Sequence, residues 1–323
     1  MASVTDLQSN VDWRALLDAL GRFDIEGAIA ALNINEAAWA EYSSAMTQAY
    51  AVAGASTAAQ IQAQGIAGIG TRFRMTNPRA QDWIRQNVTE SVEGFTIEQI
   101  SVARTVIEAG YARGQGPRNI AIDLVGRVQG GVRSGGVLGL DGPRAARLQA
   151  VTQGMRSAEG VRGLVIVGHD GSLELRYKVN PATAQRIIRA YKAGTAVPEA
   201  ERLISERQYS NALLKARADT VAATETGNAV MSARDEEWQQ LVESQGLDAS
   251  AVRKTWRHRR GSKDGRPDHI AMSGTSVMGL NTPFVLPDGT MMQHPHDPAG
   301  GARHNINCGC DCTYSLTYSK GLE

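Results

Sequence analysis

The stretch Ala302-Arg303-His304-Asn305-Ile306-Asn307-Cys308-Gly309-Cys310-Asp311-Cys312 carries all three cysteines of a 323-residue chain. In an extended segment successive side chains alternate, so Cys308, Cys310 and Cys312 fall on one side and Gly309 and Asp311 on the other. Thiolates and imidazoles suit zinc, which is usually bound by four ligands. His294, His296 and His304 stand just upstream, and His269 completes the set if the fold brings it near. Standard zinc modules pair two Cys-x2–4-Cys clusters, and this chain has one cluster. The dry alternative treats the thiols as small buried hydrophobes that tie the end of the domain back to the core. Both readings stand at the level of sequence.

Outward from this stretch, composition narrows the class. One tight cluster is no disulfide framework, which fits a reducing cytoplasm. No run of about 18 apolar residues predicts a membrane span, and the start lacks a basic-then-apolar secretory leader. The net charge of +1, from 34 basic and 33 acidic residues, supplies no long-range pull on nucleic acid. Aromatic residues are 5% and hydrophobic residues 42%, which favours helices packed through small side chains.

The texture before about residue 200 is helical. Leu16, Leu17 and Leu20, then Ile25, Ile29 and Leu32, recur at helical spacing. The Ala- and Gly-rich segment that follows fades into a loop near Gly70. Thr96 to Gln99 matches a capping box and predicts a helix start, with Ile97, Ile100, Ala103 and Ile107 on one face. Gly110 and Gly114 end that helix, and Pro117 opens the next. The glycines between Gly130 and Gly139 lack both phosphate-loop spacings and read as a turn between helices. A hairpin is expected near 161–180, turning at His169 to Gly171. Asn180 and Pro181 start a helix, and 193–199 reads as a linker.

A long helix then runs to Gly246. Beyond it, short alternation around Trp256, the segments flanking Pro287-Asp288-Gly289, and the end of the chain read as strands. The expected fold is therefore a mainly α N-terminal region followed by a small α+β C-terminal domain. Its parts are a helical docking region over 1–200 and the C-terminal domain over 201–323.

The order of residues in that second part resembles the Mu F-like family of phage head morphogenesis proteins. Arg217, Thr224 and Glu225 on a helix, Trp256, His269 and Gly274, Phe284, Pro295, and Asn307-Cys308-x-Cys310 fit the family's places. The resemblance runs from about 205 to 315 and extends more loosely upstream. It departs at Gly309, where the family commonly has a basic residue, and in the added Cys312.

The resemblance implies a structural, non-enzymatic minor head protein. It would be made in the host cytoplasm, built into the virion beside the portal, and act in head morphogenesis and DNA ejection. Its partners would be portal and capsid proteins. Residues 253–266, with Arg253, Lys254, Arg257, Arg259 and Arg260, offer a basic segment for non-specific contact with packaged DNA or a partner. The alternative is a metal-dependent hydrolase or toxin-like domain. There Glu225 and His269 would be a general base and its orienter, and the cysteines would hold metal. The bland reading of Glu225 is a hydrogen-bonded pin between helix and strands, and Trp256 reads as a core anchor.

Overall fold

The structure is a computed structural model that describes residues 7–64, 69–129, 132–259 and 265–317. The chain forms two compact units, each assembled from two separate segments rather than divided once near residue 200. The first comprises Met1–Glu41 and Val92–Ala218, and the second Tyr42–Ser91 and Asp219–Glu323. The boundaries at 91 and 218 fall inside two long helices, Pro78–Ala112 and Glu199–Gln245.

In the first unit, short helices begin where side chains satisfy the free amides of the first turn. Asp12 caps Trp13–Gly21, Asp24 caps Ile25–Ala31, Asp141 caps Gly142–Gly154, Ser157 caps Ala158–Leu164 and Asn180 caps Pro181–Ala193. Their apolar faces meet in one core with Leu16, Leu20, Ile29, Leu32, Ile107, Ile120, Leu124 and Leu138. The expected start at Thr96 is absent, because the helix runs unbroken from Pro78. Thr96 returns its hydroxyl to the Val92 carbonyl one turn back, and Ile97 faces out at 67% exposure. Gln99 is buried instead, donating to Leu140 O and accepting from Gly139 N.

The glycine-rich segment contains strands as well as a turn, with Gly130 and Gly131 outside the described residues. Strands β1 (Arg127–Gln129) and β2 (Val132–Ser134) pair antiparallel there. Gly136 then takes φ +76 where an added Cβ would lie 2.4 Å from Gly126 N, so close backbone packing accounts for this glycine. Strands β3 (Val165–Val167) and β4 (Leu173–Leu175) form the expected hairpin, closed by Gly168 N–H donating to Ser172 O.

The second unit centres on a three-stranded antiparallel sheet in the order β6-β5-β9, with β5 (Val252–Arg257), β6 (Ser276–Met278) and β9 (Asp311–Leu316). A small hairpin, β7 (Phe284–Val285) and β8 (Met291–Met292), carries the Pro-Asp-Gly turn. Period two governs β5. Val252, Lys254 and Trp256 are buried while Arg253 and Arg257 are exposed. The later part of the Glu199–Gln245 helix supplies Met231, Trp238, Leu241 and Val242 to the same core, with Trp238 stacked on Tyr314 at 5.8 Å. That helix ends as the sequence implies, at Gly246 with φ +60. Among the described residues no helix is long and apolar enough to cross a membrane.

Candidate metal centre

Trp256 sets the floor of the centre. It is fully buried and meets Phe284 and His269 edge-on, each with ring centroids 5.4 Å apart. His269 rides on the short helix Pro267–Ala271, opened by proline at its first turn. The chain then returns from the helix Gly301–Asn305 through Asn307, whose φ of +54 is a conformation that Asn tolerates. The Asn307 amide donates to Thr224 Oγ1 at 3.1 Å, which anchors this turn to the long helix.

That turn delivers Cys308 and Cys310. The Nδ1 atom of His269 lies 3.5 Å from each sulfur, and the three donors lie within 4.8 Å of one another. A tetrahedral zinc with Zn–S of about 2.3 Å and Zn–N of about 2.0–2.1 Å separates N from S by about 3.5 Å. The donor set and its spacing therefore fit a metal. The Cys310 amide also donates to the Cys308 sulfur at 3.4 Å, a contact that favours a thiolate there. Hydrogen bonding with Cys310, followed by His269 and His296, holds the Cys308 thiol well below its ordinary value, and hydrogen bonding with Cys308, followed by burial, drives Cys310 upward.

A polar line runs away from the cluster. His269 Nε2 lies 3.1 Å from His304 Nδ1, and His304 Nε2 lies 3.0 Å from Asp288 Oδ2. The Thr290 amide, with His304 adding to it, holds the Asp288 carboxyl down to about 2, so this end of the line accepts. Among the proton arrangements that satisfy the contacts, two contrast in what His269 offers the sulfurs. In one, His304 is an imidazolium and His269 Nδ1–H donates to sulfur. In the other both rings are neutral, His269 Nε2–H donates to His304, and a bare Nδ1 faces the sulfurs. Only the second presents a ligand. This carboxylate–imidazole backing is the usual outer shell of a ligating histidine.

Other residues fall elsewhere. Cys312 is fully buried opposite Trp256 in β9, with its thiol pushed up to about 12 by burial. It does not join the cluster, because it is held in the paired strand while Cys308 and Cys310 precede the strand in irregular backbone. The polar partner of Glu225 is Tyr42, and burial raises its carboxyl. Arg217 belongs to the first unit, where it donates to Gly139 O at 2.6 Å and pairs with Glu98.

The basic segment needs a correction at Lys254. It is fully buried, with Nζ donating to Gln293 O at 2.9 Å and Gln293 Oε1 at 3.0 Å. Alternation turns it inward, so it is no part of a basic surface. Arg253, Arg257 and Arg259 are exposed, and Arg260 lies outside the described residues.

Two participants were missed by sequence reasoning. His304 was seen only as a neighbour of the cysteines, and Asp288 was read only as a turn residue. Its carboxylate accepts from the Thr290 amide, an ordinary turn contact, and that role hid the second oxygen's role toward His304. Beside the cysteines lies an open cleft of about 640 Å³, lined by His258, His296, Arg257, Arg259 and Arg234 among others.

No protein-family model, curated protein or solved structure matches the chain.

Proposed function

We propose that the second unit is a zinc-stapled structural module and that the chain is a non-enzymatic minor head protein of a tailed bacteriophage. The observation that carries this reading is convergence. Trp256, His269, Phe284, Cys308 and Cys310, spread across the sequence places that resemble the Mu F-like family, meet in one buried cluster. Zinc on His269, Cys308 and Cys310 would supply cohesion, because the binding free energy of a structural zinc is folding free energy. The reading as a metal-dependent hydrolase has less support, because the polar partner of Glu225 is Tyr42. Portal, capsid and DNA contacts belong to the proposal through the same resemblance.

The test is mass spectrometry of purified heads from cells producing the chain with its neighbouring head genes. The chain is expected in heads at low copy, and Cys310→Ser is expected to reduce its incorporation. Heads that contain none of the wild-type chain would contradict the head assignment.

A further inference from the structure

A structural zinc site is closed by four protein ligands, and the cluster described above provides three. Two histidines border it. His258 Nδ1 lies 3.5 Å from the Cys310 sulfur, on a half-buried side chain. His296 lines the same cleft as Cys308 and Cys310.

His296 has the features of a built position. It is 4% exposed, yet its Nδ1 makes no hydrogen bond among the described residues. A buried nitrogen without a partner carries a desolvation cost that a bound cation removes. Its backbone sits at φ +67, the left-handed region that a non-glycine residue adopts at some cost. The long helix gives way to it as well. At Gly227 an added Cβ would fall 2.3 Å from His296 Cε1, so only glycine leaves room for the ring.

We propose that His296 is the fourth ligand, closing a Cys2His2 site with His269, Cys308 and Cys310. This rests on the metal reading given above. The His296 nitrogens stand outside the 4.8 Å group, so ligation draws the ring inward across the cleft. A cation there satisfies the stranded nitrogen, accounts for the left-handed turn, and leaves no open coordination position. The site is then structural rather than hydrolytic.

The test uses the full chain loaded with cobalt(II), whose visible bands report thiolate ligation and coordination number, and with zinc(II) in competition with a chelator. His296→Gly is the chosen variant, because glycine accepts φ +67 and leaves the backbone unstrained. It is expected to keep the sulfur-to-cobalt bands and to lose tetrahedral intensity. Its zinc affinity should fall about 100-fold or more, and added imidazole should restore the tetrahedral spectrum. His258→Ala is expected to change none of these. If His258→Ala produces the losses and His296→Gly does not, the proposal is overturned while the metal reading stands. If the wild-type chain binds neither metal, or Cys308→Ser and Cys310→Ser bind it normally, both fall together.

Discussion

His269 Nε2 lies 3.1 Å from His304 Nδ1, with the two rings stacked 12° from parallel. The contact matters because His304 is held by Asp288 at its far nitrogen. A neutral His304 so held can only accept from His269, and with His269 neutral as well its Nδ1 is free to ligate. Removing the charge at Asp288 loosens the order without touching a ligand. Asp288→Asn is expected to lower zinc affinity about 10–100-fold while cobalt spectra stay tetrahedral. Chelator competition measures the first and absorption the second. Unchanged affinity would show that the line is packing alone.

The inward and outward residues of β5 should separate cleanly. Lys254→Met leaves the Gln293 carbonyl and side-chain oxygen without their donor and should cost about 1–3 kcal/mol. Arg253→Ala, on the exposed face, should stay within about 0.5 kcal/mol. Denaturant titration reads both. If the chain binds duplex DNA, Arg257→Ala and Arg259→Ala should each lower the salt slope by about one, and Lys254→Met should leave it alone. A lowered slope for Lys254→Met would place that ammonium on the surface.

Glu237 provides a pH test independent of the metal. It is fully buried, accepts from Thr71 Oγ1 at 2.5 Å, and is pushed by burial up to about 7 from 4.5. Between those values the folded chain keeps a proton that the unfolded chain releases. Stability therefore falls as pH rises through the window, and the loss is complete above about 7. At about 1.36 kcal/mol per pH unit the upper bound is about 3 kcal/mol. Glu237→Gln should flatten this slope and stabilise the protein at pH 8. A melting profile unchanged by the substitution would remove Glu237 as its source.

Gly227 tests the niche for His296. Gly227→Ala drives a methyl into the imidazole, and overpacking of this kind costs about 1–3 kcal/mol. The effect should be larger in zinc-loaded than in metal-free protein, because the displaced ring is also a ligand. Equal losses in the two forms, read by thermal melting, would make the glycine a packing residue only.

Much of the fold was legible where local chemistry decides it. Asn180-Pro181, Gly246 and the Pro287-Asp288-Gly289 turn each specify their own geometry. Thr96 misled because a capping box is a local pattern. The unbroken Pro78–Ala112 helix buries Gln99 against the Gly139–Leu140 backbone, a partner far away in sequence. Alternation rightly buried Cys308, Cys310 and Cys312 together. It could not say that Cys312 is held in β9 while the other two lie before that strand begins. Lys254 was misread as surface because charge suggested solvent while the period of β5 turned it inward. The Asp288–His304 backing was hidden for a different reason, since it depends on tertiary pairing across 16 residues.

The most direct measurement is the metal content of the purified chain, taken together with its thermal unfolding before and after a strong chelator. The account predicts close to one zinc per chain, removed by Cys308→Ser or Cys310→Ser, and a second unit that loses its cooperative transition when the zinc is stripped. Protein that carries no zinc after expression in zinc-replete medium, and that melts identically with and without chelator, would contradict it.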